Sequence, residues 1–422
     1  MRFRYLIALA AVWAVATSAS ASAQADGEPL TLPAAIRRAL QQQPELQAFA
    51  YRLDAENARV GEAALGPETT AELMIEDALG SGDYQGVDAA QTTLSLSRVI
   101  ELGGKRAGRV AVAEAMRSRV ETERAIRQLD VVADVARRFI ETLHGRERLR
   151  LTREAVQLAE RTREAAARRV QAGLAPVAEV ARAEARIAQA ALELEHTEHE
   201  YESSRRFLAA AMGEREVRFG ETSGDLFALE TVAPLDELVR RLESSPVLLW
   251  FADEARLREA EILLAELKRR PDIQGQLGIR RFEQGGDFAL VAGFRVPLQS
   301  GRRGAFAVDA ARADRARTEA ERESALLKLQ AQLLASYREL EHAQLEARVL
   351  RERVIPALEE ALARTEYAYQ RGRYSYLELT DAQQELMAAR LRLSEVCANF
   401  HLLRVEIERL TGQSLESAGV TP

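Results

Sequence analysis

The chain of 422 residues carries one order of sequence signals twice, with a repeat distance of about 200 residues. The recurring pairs are Leu40 with Leu242, Pro44 with Pro246, Gly104 with Gly301, Gly173 with Gly372 and Gly213 with Gly412. Similar helical composition alone would not return these residues in the same order, so we interpret the chain as an internal duplication. Whatever elements the first half forms, the second half is expected to form again.

Each half has strand-like sequence before its long helices. Apolar residues such as Leu73 alternate with polar ones within about 68–100, and residues such as Leu290 form one apolar face within about 272–299. Each arm has about ten residues, the length that a tilted strand needs to cross a bilayer. The pattern predicts four membrane strands per chain. Soluble hairpins packed on helices are the alternative interpretation.

Long helices are predicted at about 104–212 and 304–411. No Pro occurs from Lys105 to Gln171, and at 1.5 Å per residue this run would extend about 100 Å. A coiled-coil seam with alternating spacings of four and three is formed by Val396, Phe400, Leu403, Ile407 and Leu410. The predicted fold is mainly α with a small β part, in which long antiparallel coiled-coil helices accompany the strands.

The N-terminus has the pattern of a secretory signal peptide. Arg2 and Arg4 precede an apolar stretch, and small residues end at Ala23, which predicts removal of residues 1–23. An uncleaved signal anchor is the alternative, although the apolar core is short for a membrane span. No Cys directly follows the cleavage site, so no lipid anchor is expected. The formal net charge of −7, with signs interspersed, lacks the basic footprint of a nucleic-acid-binding protein.

The mature chain is predicted to divide into a first repeat at 24–213, a linker at 214–233, a second repeat at 234–412 and a polar tail at 413–422. Four strands cannot close a barrel alone, and lipid does not tolerate open sheet edges. A helical hairpin of about 100 Å likewise cannot bury its apolar seam without neighbours. We therefore expect an oligomer with a shared β-barrel, and these arguments leave the number of copies open.

Three segments resemble the TolC family of outer-membrane efflux proteins: Gly173–Glu179, Gly372–Ala382 and Arg98–Arg106. The resemblance covers essentially the whole mature chain, and Arg98–Arg106 is similar to the subgroup that serves cobalt–zinc–cadmium exporters. It implies a homotrimer with a twelve-stranded barrel in outer-membrane lipid and a periplasmic helical tunnel. It further implies a passive channel for substrates such as divalent heavy-metal cations, docked on a periplasmic adaptor and a proton-driven inner-membrane pump.

The resemblance also implies roles for residues at the ends of the long helices. Glu378 and Asp381 match paired acidic positions that line the tunnel aperture, and Glu179 is the matching acid of the first repeat. Rings of carboxylates favour cations, whereas an ordinary solvated helix face is the alternative. The expected adaptor-docking tips are Gly173, Leu174, Gly372, Arg373 and Tyr374. An Arg that holds the aperture shut in some relatives aligns with Tyr374, beside Arg373.

No catalytic constellation and no cofactor site is predicted. The segment Gly103–Lys105 lacks the spacing of a phosphate-binding loop. His196 and His199 lie among glutamates, but two histidines on a polar helix are usually solvated, so no metal site is expected there. The alternative function is that of a soluble periplasmic coiled-coil adaptor or scaffold.

Overall fold

The computed structural model describes residues 27–412. The predicted signal peptide, 1–23, and the predicted polar tail, 413–422, lie outside the described residues. The elements of the first half are α1 (Leu32–Gln42), α2 (Pro44–Ala63), β1 (Thr69–Glu76), β2 (Gln91–Ile100), α3 (Lys105–Gln171) and α4 (Ala178–Ala211). Those of the second half are α5 (Leu235–Leu242), α6 (Pro246–Lys268), β3 (Ile273–Phe282), β4 (Phe288–Arg295), α7 (Ser300–Val349), α8 (Ile355–Gln370) and α9 (Tyr376–Thr411). The predicted fold class, mainly α with four strands, is confirmed.

Proline explains where the helices of each half begin. Pro33, Pro44 and Pro246 occupy first-turn positions of α1, α2 and α6. A first-turn proline leaves no hydrogen bond unmade, because the first backbone N–H groups of a helix have no partner within it. A first-turn proline thus marks the start of α2 in the first repeat and of α6 in the second. No helix within residues 27–412 is long and apolar enough to cross a membrane.

The four strands form one antiparallel sheet in the order β1–β2–β3–β4. Leu73, Leu94, Ile279 and Leu290 stand in one row of the register, and each is more than half exposed. The adjoining row holds Ala71, Leu96, Leu277 and Ala292. Side chains on one face of a sheet recur at every second residue, so these rows form a continuous apolar face. Both edge strands, β1 and β4, lack a second partner within the described chain.

The opposite face of the sheet is polar. The guanidinium of Arg280 donates to Thr93 (3.0 Å), to the amide oxygen of Gln91 (2.9 Å) and to the carboxylate of Glu76 (3.0 Å). One side chain therefore ties β3 to β2 and β1. Cross-strand contacts of this kind fix the register, which here keeps the apolar and polar faces separate.

The helices form a wall four helices wide. α3 packs against α2 and α4 on one side and against α6 and α9 on the other, while α7 packs on the far side of α6 and α9. The wall therefore has two outer edges, one formed by α2 and α4 and the other by α7. Large apolar side chains are exposed on elements of both edges: Tyr51, Leu192 and Phe207 on the first, and Phe306, Leu327, Leu334 and Leu345 on the second.

Two pairs of helices meet end to end, one pair in each repeat. α4 ends before Gly213, where an added Cβ would lie 2.9 Å from the carbonyl oxygen of Gln42, the last residue of α1, and 3.2 Å from Cα of Gln43, which precedes α2. α9 ends before Gly412, where an added Cβ would lie 2.7 Å from Cδ of Pro246 at the start of α6. Both glycines have left-handed φ angles, +84° and +71°. Only glycine combines that conformation with so close an approach.

The segment 214–233, which lies between α4 and α5, contacts α3, α4 and α9, and we call it the belt. Its Phe219 and Leu226 are buried in the main core. Its backbone carbonyls accept hydrogen bonds from side chains of the wall: Thr222 from Arg146, Phe219 and Gly220 from Arg205, Phe227 from Arg351, and Leu226 from His401. An irregular segment can be buried in this way because its carbonyls receive donors.

Candidate functional site

The two long hairpins end at turns that contain the predicted docking residues. Gly173 follows α3 and Gly372 follows α8, and both have left-handed φ angles, +70° and +75°. Leu174 is 62% exposed and Tyr374 is 44% exposed, and Arg373 is exposed as well. All five residues therefore lie on the surface at the tips of the hairpins, where another molecule could contact them.

Glu378 lies on the first turn of α9 and takes part in a capping box. The side chain of Ser375 accepts a hydrogen bond from the backbone N–H of Glu378 (3.3 Å), and the carboxylate of Glu378 accepts one from the backbone N–H of Ser375 (2.6 Å). The second hydrogen bond lowers the pKa of Glu378. The carboxylate is thus held in its charged form at the helix N-terminus, which itself favours negative charge.

Asp381 lies one turn further along α9 and is exposed, as is Glu385 one turn beyond it. Residues at positions i, i+3 and i+7 share one face of a helix. The structure thus leaves Glu378 and Asp381 together on the solvent-facing side of α9, with Glu385 extending the row. The spacing alone could have identified this third carboxylate.

Glu179 is in a different environment. Its side chain is only 15% exposed and accepts a hydrogen bond from the hydroxyl of Tyr369 on α8 (3.1 Å). Arg169 on α3 lies 4.0 Å from the same carboxylate, and its guanidinium stacks 4.1 Å from the centre of the Tyr369 ring. Burial and the nearby negative charge of Glu179 raise the pKa of Tyr369 to about 12. Glu179 therefore joins α4 to α8 and α3 inside the tip of this chain.

The contact between Glu179 and Tyr369 could not be predicted from the sequence. Tyr369 and Glu179 are 190 positions apart, and no local pattern pairs them. The capping box is different, because Ser375 followed three residues later by Glu378 is a sequence-level signature of a helix start. The sequence therefore indicates a capping role for Glu378 beside the aperture role that the resemblance implies.

No group of three His, Cys, Asp or Glu residues that could hold a metal ion occurs within residues 27–412. His196 lies on the exposed part of α4, where its Nε2 is 3.4 Å from the carboxylate of Glu200. The described tips therefore offer charged surfaces and apolar side chains rather than a coordination sphere.

Comparison with known sequences identifies a family and a related protein. The family described as "Outer membrane efflux protein" matches residues 35–214 and again residues 238–413. The cobalt-zinc-cadmium resistance protein CzcC of Cupriavidus metallidurans is 30% identical over 392 residues, which is 91% of this chain and 90% of that protein.

Solved structures share the fold at lower sequence identity. The CusC transmembrane channel superposes with a TM-score of 0.76 at 15% identity, covering 92% of this chain and 94% of that one. The outer-membrane channel OprN gives 0.75 at 17% identity, covering 91% and 90%. The open state of the MtrE outer membrane channel of Neisseria gonorrhoeae gives 0.73 at 17% identity, covering 91% and 89%. These matches extend over both halves of the chain and over the sheet as well as the helices.

Proposed function

The chain belongs to the outer membrane efflux protein family, and from this premise we propose that it is the channel component of a tripartite efflux system. In this proposal three copies form a ring around one channel. A periplasmic adaptor contacts the tips of the channel, and an inner-membrane pump drives transport. The channel itself conducts passively. Residues 1–23 direct export, and the two repeats form the mature channel without a lipid anchor.

The observation that carries the proposal is the set of open edges in a single chain. The sheet exposes a continuous apolar face and leaves β1 and β4 without outer partners, and the helical wall exposes apolar side chains at both of its edges. Lipid beside the apolar face and further copies beside the edges would satisfy both surfaces at once. A soluble scaffold would leave this apolar face exposed to water, which is unfavourable.

The charged tips fit the passage of cations. Glu378 and Asp381 are exposed on α9, and a closed ring of copies would gather them around one axis. Rings of carboxylates raise the local concentration of cations in a pore. The relationship to a cobalt-zinc-cadmium resistance protein supports divalent metal ions as the substrate class.

Three measurements on the purified protein test the proposed channel. The mature protein should require detergent for extraction, have the mass of three chains, and give discrete conductance steps in planar bilayers. Recovery of a monomer from the soluble periplasmic fraction would contradict a channel.

The substrate class is tested by growth of a strain that lacks the gene, on zinc, cadmium, cobalt, copper and common drugs. Sensitivity restricted to the divalent metals is the expected result. Sensitivity to drugs alone would retain the channel and reject metal ions as its substrates.

A further inference from the structure

A buried lysine joins the two repeats at the point where the helices meet the sheet. Lys105, the first residue of α3, donates from its ammonium group to the carboxylate of Asp272 (2.6 Å) and to the backbone carbonyl of Arg270 (2.6 Å). The same carboxylate accepts a hydrogen bond from the backbone N–H of Leu102 (3.1 Å). Lys105 is only 6% exposed, and a charge can be buried to this extent because it has a charged partner. We call Lys105 and Asp272 the clamp.

The local sequence around each member of the clamp occurs a second time in the chain. Lys105 stands in the sequence Gly-Lys-Arg, and Arg302 stands in the matching sequence Gly-Arg-Arg at the start of α7. Asp272 follows a proline and directly precedes β3, and Glu68 follows a proline and directly precedes β1. Duplication therefore gave the chain two basic and two acidic members, of which Lys105 and Asp272 are joined within it.

The order of the elements explains why the other two members stay apart. Lys105 and Asp272 lie where β2 pairs with β3 and α3 packs against α6, which is the boundary between the repeats. Arg302 follows β4 and Glu68 precedes β1, and these two strands are the outer edges of the sheet. Both side chains are exposed, and neither makes an ion pair within residues 27–412.

Exposed apolar side chains accompany the two unpaired charges. Phe306 lies one helical turn after Arg302 on the same face of α7 and is 72% exposed, and Leu298, just before α7, is 94% exposed. At the other edge Leu65, which lies between α2 and Glu68, is 67% exposed. One edge of the chain is therefore basic and apolar at this level, and the other edge is acidic and apolar.

We propose that Arg302 of one copy binds Glu68 of the next copy, and so repeats between copies the clamp that Lys105 and Asp272 form within the chain. A second copy fits both edges, because this chain carries the basic half at one edge and the acidic half at the other. The planar fork of an arginine can hold a carboxylate and a neighbouring carbonyl, as the ammonium of Lys105 does. The inference rests on the proposed channel function and adds residues through which adjacent copies recognise each other.

Cross-linking with a short bismaleimide compares the two clamps in the full mature chain in detergent. Glu68→Cys with Arg302→Cys should give species with the masses of two and three chains on a denaturing gel. The matched control is Lys105→Cys with Asp272→Cys, in which the reagent should consume both thiols without any gain in mass. The single-cysteine variants and the wild type, whose Cys397 is buried, measure the background.

Charge reversal tests the same contact without a cross-linker. Arg302→Glu and Glu68→Arg should each raise the fraction of single chains in detergent by about tenfold, because two like charges would then meet between copies. The double variant restores opposite charges and should return that fraction towards the wild-type value. Arg303→Glu is the control, since Arg303 is exposed and makes no ion pair within the described residues, and it should leave the fraction unchanged.

Two failures can be told apart. If the wild type is assembled but Glu68→Cys with Arg302→Cys gives only background cross-linking, or the double reversal dissociates as much as the single ones, the clamp between copies is wrong and the channel stands. A wild-type protein with the mass of one chain in detergent would instead contradict the proposed function itself.

Discussion

The two long hairpins descend from one plan, yet they differ in the continuity of their helices and in the exposure of their acidic tip residues. The first hairpin, α3–α4, is continuous, and its acidic tip residue, Glu179, is enclosed among α3, α4 and α8. The second, α7–α9, is interrupted by a π turn at Leu350–Val354 and exposes Glu378 and Asp381 on the first turns of α9. The two halves of a duplicated chain thus differ in helix continuity and in the capping of the helix that follows the tip.

What the repeats still share is the end-to-end joint in the wall. Both Gly213 and Gly412 have left-handed φ angles. Each lies too close to the residues around the start of α2 or α6 for a side chain to fit. The joint is therefore common to both repeats, whereas helix continuity and the exposure of the acidic tip residues differ between them.

The largest expected effect tests the shared joint. Gly213→Val and Gly412→Val should each lower the free energy of unfolding by about 3 kcal/mol. A β-branched residue with a left-handed φ angle is strained, and its Cβ would collide with the backbone of Gln42 or the ring of Pro246. Thermal and denaturant unfolding in detergent would measure the loss. Gly61→Ala in α2, where a Cβ would meet nothing within 4 Å, is the control and should be neutral or stabilising. A large loss of unfolding free energy for only one of the two variants would show that the two joints are not equivalent.

Next in size is the contact that joins the two hairpins. Tyr369→Phe removes the hydrogen bond to Glu179 and should lower the free energy of unfolding by about 1.5 kcal/mol, since the acceptor is charged.

The folded state raises the pKa of Tyr369 to about 12 from its ordinary value of 10. The neutral phenol is therefore favoured by folding, so its contribution is complete below pH 10 and is lost between pH 10 and 12. The wild type should lose this increment of stability over that range relative to Tyr369→Phe, and parallel pH curves for the two proteins would argue against the contact.

A smaller effect distinguishes the starts of α4 and α9. Ser375→Ala removes the side-chain cap of α9 and should cost about 1 kcal/mol. The equivalent residue before α4, Val177, makes no capping hydrogen bond. Val177→Ala should therefore change stability by less than about 0.5 kcal/mol. If the two substitutions cost the same, capping would not distinguish the hairpins.

The smallest expected effect concerns charge at the tips. Glu378→Gln with Asp381→Asn keeps the capping box, because Gln also serves at that position, but removes two exposed charges. Cation preference, read from reversal potentials in a salt gradient, should fall by about threefold. Glu179→Gln is the comparison, and it should leave the reversal potential unchanged because this carboxylate is enclosed. An equal change in reversal potential for the double variant and for Glu179→Gln would mean that the enclosed and the exposed carboxylates line the same ion path.

Much of the fold could be predicted because its signals are local. Proline and glycine mark the helix ends, alternation marks β2 and β4, and the seam around Phe400 marks the core of α9. Cys397, which lies within that seam, is buried, and burial raises the pKa of its thiol to about 11. The candidate site was predictable only where its residues share one helix, as Glu378 and Asp381 do.

The sequence by itself determined the duplication, the mainly helical class, the sheet strands and the two hairpin tips, because each depends on spacing within a few turns of chain. Only the tertiary structure decided that Glu179 is enclosed by Tyr369, that the belt is held through its carbonyls, and that Arg390 of α9 pairs with α3 and α8 while Arg392 pairs with α7. Those facts depend on which distant segments meet when the wall folds. The free energy of such contacts comes from burial and charge pairing between elements, and no local spacing in the chain encodes it.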